Sequence, residues 1–196
     1  MNEKLLRQAM NLFDTQEKWD AFVELSSNRD EIRNRWTRVL IDEIQRLFYN
    51  IAGCSKWDID NGKWYIQVTA KQFVDFSQLV VYVDFPVQRT FLWINAEEYD
   101  SDKAVDEMRN NKQLMQLLES YSYLYEHHIW NKQFSDIINL GTWYQSSYQY
   151  GHNTKEVAKY IFENYLQPFL TDEIADLFVD ICEKTNLKNK KKKEKK

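Results

Sequence analysis

The sequence predicts an α+β fold: a mainly antiparallel sheet of three to five strands, with helices packed on one face and helical segments at both ends of the chain. Three observations favour this class. Glycine and proline are scarce, at four and two of 196 residues, which favours long helices over a loop-rich sandwich. The first 50 residues repeat apolar side chains at helical spacing, whereas residues 56–95 alternate apolar with polar ones. Hydrophobic residues make up 43% of the chain, which is enough for one buried core.

The N-terminal third predicts three helices. Asp14 precedes Glu17 at the spacing of a capping box, which marks the start of the second helix, and the run Ser26-Ser27-Asn28 ends it. In this second helix we expect four apolar side chains to be buried: Trp19, Phe22, Val23 and Leu25. The third helix covers residues 29–49 and has the strongest periodicity in the sequence. Its expected buried face consists of Ile32, Trp36, Val39, Leu40, Ile44, Leu47 and Phe48.

The middle of the chain predicts antiparallel strands. The dipeptide Asn61-Gly62 is typical of a tight hairpin turn, because these residues tolerate positive φ at little cost, and it would join residues 56–59 to residues 63–69. Residues 78–85 and 88–95 form a second pair around a proline. Alternation along these strands predicts one face that packs on helices and a second face that carries aromatic and polar groups. The second face includes Tyr65, Gln67, Thr69, Val80, Tyr82 and Asp84.

The C-terminal half returns to helices. Ser101 is expected to cap a helix over residues 102–109, and another helix follows over residues 112–119. The next stretch favours a strand around residues 126–132, and residues 141–151 are turn-like and rich in aromatic side chains. Two final helices are expected, beginning at Asn153 or Thr154 and at Thr171.

Charge is distributed unevenly along the chain. Residues 188–196 contain seven lysines and one glutamate, and this charge of +6 within a formal net charge of −4 leaves −10 on residues 1–187. We therefore expect a single domain over residues 1–187 and a disordered Lys-rich tail over residues 188–196, because like charges repel and the tail has nothing apolar to bury. An acidic body repels a nucleic-acid backbone, so the tail is the segment that would contact nucleic acid.

The two cysteines and the apolar segments indicate the compartment. Cys54 and Cys182 lie far apart and outside any metal-binding spacing, which indicates two free thiols in a reducing environment. No run of about 18 apolar residues occurs, and no apolar signal-peptide core follows Met1. We therefore expect a cytoplasmic protein that does not contact a membrane.

The carboxylates form no complete catalytic motif. Asp84 followed by Glu97 or Glu98 has the spacing of a metal-dependent nuclease, in which the acids bind the cation and a lysine steadies the attacking water. That lysine belongs two residues after the glutamate, where Tyr99 and Asp100 stand instead. We predict no catalytic residue, no metal ligand and no cofactor.

The sharpest local feature is the sequence W-Y-Q-S-S-Y-Q-Y-G-H over residues 143–152. Tyrosine supplies rigid amphipathic contact area and serine supplies hydrogen bonds, a combination typical of adaptable recognition loops. No lysine or arginine lies between Gln133 and Asn153, so the rings lack the interleaved cations of a base-stacking surface. The predicted binding residues are Trp143, Tyr144, Tyr148, Tyr150 and His152.

The order of aromatic features also carries a resemblance. Leu12-Phe13-Asp14 with Trp19 is followed by a long helix containing Arg33, Arg35 and Trp36, by the aromatic hairpin Trp57 to Tyr65, and finally by a Trp-Tyr-aromatic stretch with two helices. This order resembles uncharacterised bacterial domains found C-terminal to restriction-endonuclease-like proteins of the PD-(D/E)XK nuclease superfamily. The resemblance covers most of residues 10–183 and implies an accessory, defence-associated domain. The chain departs from the nuclease pattern at the missing lysine.

Together these features predict a non-catalytic interaction module. We expect a bacterial or phage accessory protein, associated with defence or counter-defence, that binds a protein partner through its aromatic sheet face and residues 143–152. Two alternatives stay open. One is a metal-dependent nuclease or its remnant, and the other is a nucleic-acid-binding protein that uses the tail and the aromatic loop.

The tail gives a first testable prediction. Deleting residues 188–196 should change the melting temperature by less than about 2 °C, because a disordered segment contributes no packing. Thermal denaturation followed by circular dichroism checks this. A decrease of several degrees would show instead that the tail docks on the acidic body.

Overall fold

A computed structural model describes residues 3–51, 56–72, 78–121, 128–131, 134–142 and 153–187. The predicted Lys-rich tail, residues 188–196, and the predicted binding segment, residues 143–152, lie outside these ranges. Within the described ranges, no helix is both long and apolar enough to cross a membrane.

The described chain runs from helices through a sheet and back to helices. The helices are α1 (Glu3–Leu12), α2 (Gln16–Ser27), α3 (Arg29–Tyr49), α4 (Ser101–Asn110), α5 (Lys112–Glu119), α6 (Thr154–Ile161) and α7 (Asp172–Thr185). A π-helical turn, Phe162–Leu166, and a 3-10 turn, Gln167–Phe169, connect α6 to α7. The strands are β1 (Trp57–Asn61), β2 (Tyr65–Ala70), β3 (Val80–Asp84), β4 (Arg89–Asn95), β5 (His128–Asn131) and β6 (Phe134–Thr142).

The strands form one sheet in the order β1-β2-β3-β4-β6-β5, and every described pair is antiparallel. The predicted α+β class with a mainly antiparallel sheet is confirmed. The described strands number six, one more than the upper end of the predicted range, because no strand was predicted over Phe134–Thr142. Strand β5 lies inside the stretch for which a strand was favoured.

One face of the sheet, here called the inner face, packs on the helices. Its side chains alternate along the strands and join a single core with α3, α4, α5, α6 and α7. The inner-face residues in that core include Ile59, Ile66, Val68, Val81, Val83, Leu92, Ile94 and Ile138. The opposite, outer face therefore carries the other set of strand residues.

Trp57 connects the edge of the sheet to the last helix. Its side chain is fully buried, and its ring meets Phe178 edge to face with a centroid distance of 5.4 Å. The indole Nε1–H donates a hydrogen bond of 2.9 Å to the carbonyl of Thr171. The Oγ1 of Thr171 in turn accepts from the backbone N–H of Ile174, which makes Thr171 the N-cap of α7, as predicted.

Two of the other predicted helix caps are displaced by one residue. The N-cap of α2 is Thr15, whose side chain accepts from the N–H of Lys18, while Asp14 forms an ion pair with that lysine at 2.6 Å. The N-cap of α4 is Asp100 rather than Ser101. Adjacent acceptor residues compete for the same backbone donors, so sequence alone places a cap only to within a residue.

Cys182 is a free thiol in the core, which agrees with the expected free cysteines, whereas Cys54 lies outside the described chain. Burial raises the pKa of the Cys182 thiol to about 12. The protonated thiol therefore serves as a small apolar side chain of α7.

The expected burial of α2 is wrong, and that of α3 is wrong in part. Helix α2 buries none of its residues. In α3 the side chains of Trp36 and Val39 are 37% and 48% exposed. The side chains that α3 buries are Thr37, Leu40, Ile41, Ile44 and Phe48. Periodicity shows which residues share a helix face, but contacts with α6 and β1 decide which face is covered.

Two tryptophans test this assignment of the core. Trp57→Ala should lower the free energy of unfolding by about 3–5 kcal/mol, because it leaves a cavity and removes a hydrogen bond to Thr171. Trp36→Ala should cost less than about 1.5 kcal/mol, because an exposed ring loses little packing. The free energies of unfolding of both variants and the wild type are measured by urea denaturation, at low protein concentration so that contacts between chains do not contribute. Equal costs at the two positions would contradict the assignment.

Candidate functional site

The outer face of the sheet carries a row of aromatic rings across three neighbouring strands, here called the ring ladder. It consists of Tyr65 on β2, Tyr82 on β3, and Phe91 and Trp93 on β4. Strand register explains the row: Tyr82 pairs with Phe91, and Tyr65 lies opposite Asp84, two residues further along β3. Side chains two residues apart on a strand share a face, so the antiparallel register brings all four rings together.

Tyr82 is the centre of the ring ladder. Its ring stacks on Tyr65 with a centroid distance of 5.2 Å and an interplanar angle of 22°. It also lies 5.0 Å from Phe91 and 6.1 Å from Trp93. Phe91 is buried, whereas the other three rings are half-buried and keep part of their surface in solvent. Contacts of this kind fix the rings in place and leave amphipathic edges for a partner.

Gly62 makes room for one end of the ring ladder. A Cβ at this position would lie 2.3 Å from the ring of Tyr65, so a side chain there would displace the ring. The dipeptide Asn61-Gly62 predicted this hairpin correctly, but the expected positive φ is not the reason for its glycine. Among the described glycines the positive φ belongs to Gly141, and the turn between β3 and β4 has its positive φ at Gln88.

Acidic groups border the rings. The Oδ2 of Asp60 accepts a hydrogen bond of 3.1 Å from Nε2 of Gln67. The Oδ1 of Asp84 accepts one of 3.3 Å from the N–H of Val87. Desolvation raises the pKa of the Asp84 carboxyl, although the hydrogen bond from Val87 and the positive charge of Arg89 partly oppose it.

The border has further polar features that affect what the face can bind. Desolvation, and secondarily the charge of Asp60, raises the pKa of the Tyr65 hydroxyl, which therefore stays a hydrogen-bond donor at neutral pH. The guanidinium of Arg89 lies over the ring of Phe91 at 4.6 Å. Stacked rings and carboxylates together suit a cationic side chain, which gains from both the ring faces and the negative charge.

The predicted binding residues Trp143, Tyr144, Tyr148, Tyr150 and His152 all lie outside the described residues. The described chain does give the starting point of their segment. Strand β6 ends at Thr142, whose register partner is Arg89 at the start of β4. Thr142, the last described residue before the predicted binding segment, therefore lies at the end of the sheet that also holds Tyr65, Asp84 and Arg89.

The carboxylates of the nuclease alternative do not come together. Asp84 pairs with Arg89 at one end of the β3–β4 hairpin, whereas Glu97 and Glu98 follow the other end of β4. Six residues of strand separate the two ends, which is roughly 20 Å. Lys71, after β2, also lies at the end away from Asp84. In the described part of the chain, no group of three His, Cys, Asp or Glu side chains is placed to hold a metal ion.

Alternation along β2 and β3 predicted that Tyr65, Tyr82 and Asp84 share the second sheet face, but two members of the ring ladder, Phe91 and Trp93, were not predicted there. The signal was present, because both alternate with the buried Leu92 and Ile94 along β4. Alternation alone does not say which face of β4 adjoins which face of β3, because that assignment requires the cross-strand register.

The fold and this face define an α+β domain with an aromatic, acid-bordered outer sheet surface. In comparisons with known proteins, no family model, curated protein or solved structure matches the chain.

The pH dependence of stability tests the environment of Asp84. When a carboxyl has a raised pKa in the folded state, the protein loses stability as the pH rises from the carboxyl's pKa in the unfolded state, near 3.9, to its pKa in the folded state. Asp84→Asn removes this loss and keeps an acceptor for the N–H of Val87. The melting temperature of Asp84→Asn relative to wild type should therefore increase between pH 3 and pH 7. If the melting temperature of the variant minus that of the wild type stays constant or decreases over this pH range, the folded protein does not disfavour the charged form of Asp84.

Proposed function

We propose that this protein is a non-catalytic binding module that holds a basic segment of a protein partner on the outer face of its sheet. The observation that carries the proposal is the ring ladder with Asp60 and Asp84 at its border. Half-exposed rings of this kind often supply much of the energy of an interface. The carboxylates add charge complementarity, which fixes the orientation of a cationic partner.

Charge favours a protein over a nucleic acid as the partner. Residues 1–187 carry a formal charge of −10, and the groups that border the ring ladder include two carboxylates. A phosphate backbone would be repelled by such a surface. The Lys-rich tail has the opposite charge, so nucleic-acid binding through the tail is the competing outcome in the experiment below.

Residues 143–152 are also part of the proposal. In the sequence they follow Thr142, which pairs with Arg89 near the Tyr65 end of the ring ladder. Within this segment, Trp143, Tyr144, Tyr148, Tyr150 and His152 would add adaptable contacts to the rigid rings of the strands. An accessory role in bacterial or phage defence or counter-defence is part of the proposal and rests on the resemblance to nuclease-associated domains.

A charge-reversal pair tests the proposed surface. Partners are captured on immobilised protein from a nuclease-treated lysate of the source organism, and the affinity of the main captured protein is then measured. Asp60→Lys should weaken this binding at least about thirtyfold, because it places a cation among the contacts of a cationic segment. Glu156→Lys has the same change of charge on the exposed side of α6 and should bind like wild type.

The contribution of residues 143–152 is tested in the same assay. A Tyr144→Ala and Tyr148→Ala double variant should keep the wild-type melting temperature and fail to retain the partner. Equal binding by Asp60→Lys and wild type would overturn the proposed face. Capture that occurs from an untreated lysate, and that disappears both on nuclease treatment and on deletion of residues 188–196, would support the nucleic-acid alternative instead.

A further inference from the structure

Helices α2 and α3 follow each other with only Asn28 between them and are together called the rod here. At the junction, the N–H of Asn28 donates to the carbonyl of Glu24 at 3.1 Å, and the carbonyl of Asn28 accepts from the N–H of Ile32 at 3.0 Å. Both bonds have the four-residue helical spacing, and Asn28 itself is the turn residue between the two helices, with φ −100° and ψ 14°. The rod runs from Gln16 to Tyr49, or roughly 50 Å at the helical rise per residue.

The first half of this rod carries several large apolar side chains that the described part of the chain does not bury. All of α2 is exposed, and the large apolar side chains exposed along the rod include Trp19, Phe22, Val23, Leu25, Trp36 and Val39. Exposed apolar residues that occur singly need no explanation, but a contiguous group marks an interaction site. The buried positions of α3 begin only at Thr37.

Part of this group repeats with the period of a coiled coil. Alternating steps of three and four residues connect six positions, here called the seam: Phe22, Leu25, Arg29, Ile32, Trp36 and Val39. This is the spacing of the a and d positions over two and a half heptads, and it is the pattern that packs one helix against another. In α3 the seam residues Ile32 and Val39 lie on a different side of the helix from Ile41 and Ile44, which contact the body, and Trp36 lies beside Leu40 at the boundary. Within the described part of the chain, Trp36 and Val39 keep exposed surface for packing on a further helix.

Charge along the rod is asymmetric. Helix α2 contains Glu17, Lys18, Asp20 and Glu24, so its formal charge is −2. The start of α3, residues 29–38, contains four arginines, one aspartate and one glutamate, so its charge is +2. The seam therefore has an acidic half and a basic half, with Arg29 near its middle. A helix with complementary charge must place basic residues against α2 and acidic residues against the start of α3.

We propose that the seam pairs with the seam of a second copy of this chain in an antiparallel two-fold arrangement. Reversing one copy places the acidic α2 of each chain against the basic start of α3 of the other, and symmetry makes the contact twice. A parallel pair would instead place Arg29 against Arg29 and like-charged halves together, which is unfavourable.

The antiparallel register follows from the seam itself. An axis midway between Arg29 and Ile32 places Phe22 of one copy opposite Val39 of the other, and Leu25 opposite Trp36. Each a position then faces a d position, as antiparallel coiled coils require. Phe13, whose ring lies 4.4 Å from that of Phe22, extends the apolar surface at each end. This proposal does not depend on the outer sheet face.

The oligomeric state of the full chain tests the proposal. Sedimentation equilibrium should give twice the chain mass of 23.8 kDa at micromolar concentration. Leu25→Glu should raise the dimer dissociation constant at least about thirtyfold, because it places a charge in the seam. Val23→Glu is the matched control, since Val23 is an exposed apolar residue of the same helix outside the seam, and it should dimerise like wild type. A monomer at 100 μM protein, or equal effects of the two changes, would overturn the proposal.

Disulfide trapping tests the orientation. In a background with Cys54→Ser and Cys182→Ala, a mixture of Leu25→Cys and Trp36→Cys chains should form a crosslinked heterodimer. Each variant alone should not crosslink, because the antiparallel register puts Leu25 far from Leu25 and Trp36 far from Trp36. Efficient crosslinking of each variant with itself would show a parallel pair and overturn the antiparallel arrangement. Asp60→Lys should stay dimeric, which separates this test from that of the sheet face.

Discussion

The attachment of Trp57 to Thr171 is the interaction on which the rest of the fold depends. Among the described strands, β1 lies at the edge of the sheet with β2 as its one neighbour, so the ladder alone holds it weakly. The buried indole adds a hydrogen bond to the N-cap residue of α7 and an edge-to-face contact with Phe178. This single side chain therefore holds the edge of the sheet and the start of the last helix together.

Exposed charges around this contact contribute much less. Lys56 and Asp176 form an ion pair of 2.6 Å that also connects the β1 end to α7. Both side chains are exposed, and pairs of this kind are worth well under about 1 kcal/mol because solvent screens them. The burial of one large ring, rather than the nearby ion pair, fixes where α7 lies on the inner face.

Covering the inner face with helices leaves the outer face and the helical rod to carry interactions. On the outer face, the pleat forces the residues between the core positions to point away from the helices, and in β2, β3 and β4 many of these are aromatic. On the rod, the body takes one face of α3 from Thr37 onward, so the seam keeps its apolar side chains in solvent. The two surfaces differ in chemistry. The outer face combines aromatic rings with carboxylates, whereas the seam combines a heptad spacing of mainly apolar residues with charges that are complementary between two antiparallel copies.

The sequence by itself determined which residues share a face, and the tertiary structure decided which faces are covered. Alternation and helical periodicity were sufficient for the α+β class, for helix α3, for both hairpins and for the cap at Thr171, because each depends on neighbours within a few residues. They failed for Trp36, which shares a helix face with apolar residues but remains exposed, and for Phe91 and Trp93, whose place beside Tyr82 depends on strand register. Burial and convergence are set by contacts between distant segments, such as Trp57 with Thr171, and local patterns do not specify those contacts.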